Sequence, residues 1–170
     1  METVRDQSNS DLGPAAGTPL SESFLKSAVP PGLMTAAALL LIAGLYPLSR
    51  NNYLLFHTLV ETFFIVVSFT VFSIGWNARK FVRDNSLMLL SVAFAVIGSI
   101  ELLHSLSYKG MGIFPEISAN VATQLWIAAR YLEAAAFLVA AILLNRKELI
   151  SPWLLLGGSL LAGLLMVALI

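Results

Sequence analysis

From about residue 33 onward the chain is a series of long apolar runs separated by short polar breaks. The runs cover about residues 33–48, 53–76, 86–105, 120–144 and 152–170. Each is near the ~20 residues a helix needs to cross ~30 Å of hydrocarbon. In lipid every backbone N–H and C=O must be satisfied internally, which leaves helices or a closed barrel. A barrel would show alternating strands of ~10 residues, and none is visible. A water-soluble bundle would keep a polar stripe on each helix, and the first and fifth runs carry none. The chain therefore reads as an all-α membrane protein, a polytopic bundle of about five transmembrane helices whose first partner is the lipid bilayer. Apolar residues make up 58% and charged residues 12% of the 170 positions, against about 45–50% and about 25% in soluble domains. The net charge of zero offers nothing to nucleic acid. The absence of cysteine excludes disulfides, thiolate ligands and thioether-linked haem.

Residues 1–29 are polar and rich in Ser, Asp, Gly and Pro. Such a stretch buries too little apolar surface to offset ordering entropy, and a mostly disordered tail is expected there. Residues 30–170 form the membrane domain. A cleaved signal peptide is disfavoured, because the first apolar run begins beyond the ~15–30 residues a signal peptide occupies in total. Orientation follows from the basic residues. Arg79, Lys80 and Arg83 follow the second run, Arg146 and Lys147 follow the fourth, and Lys26 precedes the first, whereas the other side has Arg50 and Lys109. Positive loops stay inside, which predicts a cytoplasmic N-terminus. Trp76, Trp153 and Tyr53 fall at the expected interfaces.

Six ionisable residues lie inside the runs: His57, Glu61, Glu101, His104, Arg130 and Glu133. A charge at the bilayer centre costs about 2.5–3.5 kcal/mol on insertion scales, so such residues face the bundle interior, pair, and mark function. His57 and Glu61 are four apart and share a helix face, as do Glu101 and His104, three apart. Trp126, Arg130 and Glu133 lie along one stripe of the fourth helix, with Gln124 and Tyr131 on a second stripe beside it. With the N-terminus inside, His57 and His104 lie near the outer surface and Glu61 and Glu101 about one turn deeper. Arg130 falls ~15 Å below a helix start at Asn120, at ~1.5 Å per residue. By this reckoning its nearest partners are Glu133 and Glu61. The expected ligand-binding set is His57, Glu61, Glu101, His104, Gln124, Trp126, Arg130 and Glu133.

Several roles for this cluster stay open at this point. It can be a structural ion network, the base of a pocket for a small molecule or ion, or a proton relay of the Asp/Glu/His kind. A metal site could draw on His57, Glu61, Glu101, His104 and Glu133. These fall one carboxylate short of the four-Glu, two-His set of di-iron bundles, and Arg130 opposes a dication. Haem between His57 and His104 rests on two imidazoles alone. Metal and haem are therefore not favoured, and no cofactor is assigned. No nucleophile–base pair or Gly-rich phosphate loop is present, so catalysis is not expected. The loop from Ser105 to Ala119, with Gly110, Met111, Gly112, Ile113, Phe114 and Pro115, is either a tight interfacial connector or a lid over the outer mouth of the cluster. Small residues at Gly158 and Ala162, and at Ser159 and Gly163, suit either intramolecular packing or a homodimer seam on the fifth helix.

Three blocks carry a family resemblance: His57-Thr58-Leu59-Val60-Glu61-Thr62-Phe63; Glu101-Leu102-Leu103-His104 through Gly112; and Asn120 through Glu133, with Thr123-Gln124-Leu125-Trp126-Ile127-Ala128-Ala129-Arg130-Tyr131-Leu132-Glu133 the most specific. From about Pro31 to the end the chain resembles the third class of bacterial membrane-associated sensor domain. The resemblance implies a sensory input module of the bacterial cytoplasmic (inner) membrane. Such modules feed histidine kinases in two-component systems, or diguanylate cyclases and phosphodiesterases of cyclic-di-GMP signalling. It implies an output domain, covalently attached or separate, and a small-molecule or ion signal of unstated identity. Five spans from a cytoplasmic N-terminus would place Ile170 outside, where no ATP- or GTP-dependent output can work. A further span and a cytoplasmic output domain are thus expected beyond it in the intact protein.

Overall fold

The computed structural model describes residues 30–81, 83–116, 118–146 and 148–170. The expected tail, residues 1–29, lies outside the described residues, as do the basic residues Lys26 and Lys147. Among the described residues there are five α-helices and no strand: α1 (Pro31–Asn51), α2 (Tyr53–Ala78), α3 (Asn85–Ser107), α4 (Ala119–Leu143) and α5 (Pro152–Ala168). A single 3-10 turn, Lys109–Met111, follows α3. The first four helices are long and apolar enough to cross a membrane. The fifth has 17 residues, which rise ~25 Å at ~1.5 Å each and sit at the short end of the spanning range. The expectation of an all-α chain with about five apolar helices is thus met, with helix ends displaced by a few residues.

Local chemistry sets where the helices begin. The Asn52 side chain accepts from Leu55 N at the start of α2, Asp84 accepts from Ser86 N and Leu87 N at the start of α3, and Ser118 accepts from Asn120 N at the start of α4. Each satisfies an orphan donor of a first turn. Pro152 opens α5, where its missing N–H costs nothing.

The described residues divide between Gly44 and Leu45 into two compact units. Within the first, α1 begins at Pro31 and is apolar to Gly44. Within the second, α3 is the central helix, packed against α2, α4 and α5. That position suits its sequence, which is apolar along the middle of the helix with no polar stripe for solvent. Val92, Ala93, Val96, Ile97 and Ile100 of α3 form the core with Leu125, Ala129, Leu132 and Ala136 of α4.

Small residues fix the antiparallel register of α2 on α3. Gly75 faces Ser91, and Gly98 faces Ser68, so closely that a Cβ on Gly75 would overlap the Ser91 side chain. The same register carried toward the start of α2 sets Glu61 opposite His104 and His57 opposite Tyr108. On α5, Gly163 meets Val96 of α3 and Ser159 is buried, so this small pair serves intramolecular packing. Gly158 has open space beside it.

The end of the bundle formed by the α2–α3 and α4–α5 connections is tied by polar contacts. The buried Asn85 donates to Glu148 O at 2.8 Å and accepts from Ile150 N at 2.9 Å, holding the connection between α4 and α5. Ser86 Oγ donates to Ala140 O at 2.8 Å. Trp76 and Trp153 meet edge to face, and the Arg79 guanidinium lies 4.5 Å over the Trp76 ring. A belt of tryptophan and arginine suits the depth where headgroups begin.

Candidate functional site

The opposite end of the bundle gathers six of the eight expected site residues. They come from three helices and divide into two linked groups.

The first group joins α2 to α3. Glu61 Oε1 lies 3.8 Å from His57 Nε2, one turn away on its own helix, and 4.0 Å from His104 Nε2 across the interface. These donor atoms all lie within 4.8 Å of one another. The two imidazole rings are tilted, with centroids 5.5 Å apart. His104 is buried, and its Nδ1 stands 2.8 Å from Ala122 O in the first turn of α4. A carbonyl oxygen can only accept, so Nδ1 carries the proton and donates it. In the neutral ring the Nε2 lone pair is then directed toward Glu61.

The second group joins α3 to α4. Arg130 Nη2 donates to Glu101 Oε1, and Arg130 Nη1 pairs with Glu133 Oε2 at 2.7 Å. Glu101 is 0% exposed and its second carboxylate oxygen, Oε2, has no hydrogen-bond partner. The Arg130 guanidinium also lies 4.5 Å over the Phe64 ring, on the next turn of α2 after Glu61. A cation removed from water thus has a carboxylate on each arm and an aromatic face beneath. The expectation that Arg130 pairs with Glu61 is corrected here. Its partners are Glu133 and Glu101, because α4 packs on α3 and brings Glu101 within reach. That leaves Glu61 to the histidines.

Gln124 is half-buried and Trp126 is 45% exposed on α4. Neither makes a hydrogen bond or ring contact with the six. Three participants were not singled out from the sequence as site residues. The Tyr108 ring stacks on His57 with centroids 4.3 Å apart and planes 21° apart. Phe64 supports Arg130, and Ala122 supplies the carbonyl for His104. Phe64 had a signal, lying three residues after Glu61 on the same helix face. The Ala122 carbonyl had none, since backbone groups are alike in sequence.

The connection after α3 closes over this end. Thr58 Oγ1 is 3.6 Å from Met111 Sδ, and a Cβ on Gly110 would press on Leu54 and on Tyr108. Gly112 ends the 3-10 turn with φ of 66°, a left-handed conformation glycine adopts without strain. The two glycines therefore let the loop fold back onto α2.

No curated protein and no solved structure matches the chain. A family model does match, over residues 48–170, and its description is membrane-associated sensor domain. The match begins later than the resemblance from about Pro31 suggested, leaving most of α1 outside it. Inside it fall every helix of the two groups, the loop over them, and three of the four helices long and apolar enough to cross a membrane. Over these residues the chain belongs to the membrane-associated sensor domain family MASE3.

Proposed function

We propose that the chain is the signal-receiving module of a bacterial inner-membrane sensor. Its signal site is the two-group cluster, and its output is passed to a histidine kinase or diguanylate cyclase domain, attached or separate. The carrying observation is that one compact set of buried and partly buried ionisable residues links α2, α3 and α4 while Tyr108, at the root of the loop, stacks on one of its members. A ligand that alters the charge balance there has different affinity for different packings of these helices. Such a difference is the requirement for shifting a population between two states. Gln124 and Trp126 flank the site on α4. The module itself performs no catalysis in this reading.

The positive-inside rule supports a cytoplasmic N-terminus and a cluster in the outer leaflet. Because the chain has no cysteine, single thiols can be read without background. Glu116 and Lys80 are exposed at opposite ends of the bundle. In intact cells, Glu116→Cys should react with an impermeant thiol reagent, and Lys80→Cys should react only after lysis. The reverse pattern would invert the orientation.

Signalling also demands that the two ends communicate. Introducing Glu61→Gln should change the labelling rate of Lys80→Cys in inside-out vesicles severalfold. An unchanged rate, in a protein that remains folded, counts against the sensor mechanism.

A further inference from the structure

The ligand of this site has a chemistry the cluster itself defines. We infer that His57, Glu61 and His104 form a three-donor centre for a divalent first-row transition ion of the Zn²⁺ type, and that this ion is the signal. The inference rests on reading the cluster as the signal site.

Geometry is the first ground. In a tetrahedral zinc centre with bonds of ~2.0–2.1 Å, neighbouring donors stand ~3.3 Å apart. Here Glu61 Oε1 is 3.8 and 4.0 Å from the two Nε2 atoms, and all three lie within 4.8 Å of one another. Side-chain torsions must close about 0.5 and 0.7 Å for the two carboxylate–imidazole pairs and up to ~1.5 Å between the two imidazoles. Two imidazoles with one carboxylate, leaving a position open to water or a further ligand, is a recurring set for zinc and ferrous iron. Calcium and magnesium prefer oxygen donors throughout.

The second ground is orientation. The Ala122 carbonyl accepts a hydrogen bond from His104 Nδ1 at 2.8 Å. That second contact is what metal-ligating histidines use to fix their tautomer and aim the other nitrogen. In the neutral ring the Nε2 lone pair of His104 faces an acceptor, the Glu61 carboxylate. Two acceptors turned toward one another in a buried place repel unless a proton or a cation lies between them.

Charge is the third. The objection from the sequence was that Arg130 opposes a dication. The structure removes it, because Arg130 is held by Glu101 and Glu133. Counted by formal charge, three carboxylates against one guanidinium leave two negative charges in the two groups taken together. A divalent ion cancels both at once, which is the favourable state for charges held away from water.

The site also contains its own readout. Tyr108 stacks on the His57 ring, and the 3-10 turn begins at the next residue. When His57 turns to complete the coordination, its stacking partner must move with it. The loop that closes this end then shifts.

The test uses the whole chain in detergent, freed of metal with a chelator, and Co²⁺ as a spectroscopic probe for Zn²⁺. One Co²⁺ per chain should bind with d–d absorption of a low-coordinate site, and Zn²⁺ should displace it. His57→Ala, His104→Ala and Glu61→Gln should each weaken binding at least tenfold, and Glu148→Gln, on the exposed α4–α5 connection, should not. Glu61→Gln is isosteric and keeps the test decisive if a histidine variant misfolds. No stoichiometric Co²⁺ or Zn²⁺, or binding indifferent to all three variants, overturns the metal centre. In a parallel arm, Zn²⁺ should change the thiol-labelling rate of Glu116→Cys at least threefold. Metal bound with an unchanged labelling rate leaves the centre standing and overturns its role as the signal.

Discussion

Replacing Arg130 with leucine is expected to destabilise the chain by about 3–5 kcal/mol, the range for breaking a buried pair by removing one partner. The cost comes from what is left behind. Glu101 is 0% exposed, and its Oε1 depends on Arg130 while its Oε2 has no other partner. Without the guanidinium, two carboxylates remain in a low-dielectric place and must take up protons or draw in water. Glu101→Gln in the same chain should recover more than half of the loss, since a neutral amide no longer needs the cation. Glu133→Gln should recover less, because that residue is 21% exposed. Glu61→Gln should recover little. Thermal unfolding in detergent, followed by loss of helicity, gives the comparison through a double-mutant cycle. Equal rescue by Glu61→Gln and Glu101→Gln would contradict the pairing described here.

Gly75→Leu is expected to separate α2 from α3 and to cost at least about 1–3 kcal/mol, the usual range for overpacking. Even a methyl group at Gly75 would overlap Ser91 Cβ and Oγ, so the helices themselves must move apart. Separation at this point also disturbs the register that sets Glu61 opposite His104. The variant should therefore lose the function of the cluster as well as stability. Ser91→Gly in the same chain should restore part of both. Gly158→Leu supplies the contrast, because a Cβ there meets nothing within 4 Å. It should leave the monomer's unfolding temperature nearly unchanged. If Gly158→Leu instead dissociates an oligomer on a sizing column, the exposed face of α5 is a homodimer seam. If Gly75→Leu unfolds no earlier than the parent, the close approach of α2 and α3 is not what holds them.

The sequence by itself determined the class of fold and most of the membership of the site. Five apolar runs in a medium without water leave the backbone one inexpensive solution, and five helices followed. Asn52, Asp84, Ser118 and Pro152 carried their starting points as capping chemistry, which is local and therefore legible. His57, Glu61, Glu101, His104, Arg130 and Glu133 stood out because the cost of a charge in hydrocarbon applies to each residue alone, whatever it touches. Partner choice was different. The i,i+3 and i,i+4 pairs within one helix were visible, and His57 with Glu61 and Arg130 with Glu133 are both such pairs. Whether Arg130 met Glu61 or Glu101 depended on the register of α3 against its neighbours. Small residues far along the chain, Gly75 against Ser91 and Ser68 against Gly98, help fix that register. A helix face can be computed from spacing, but the depth to which it slides along another face is set by side-chain volumes on both. The stacking of Tyr108 on His57 and the Ala122 carbonyl behind His104 belong to the same category. They exist only once the third helix has ended, the loop has folded back over the second, and the fourth has packed beside it.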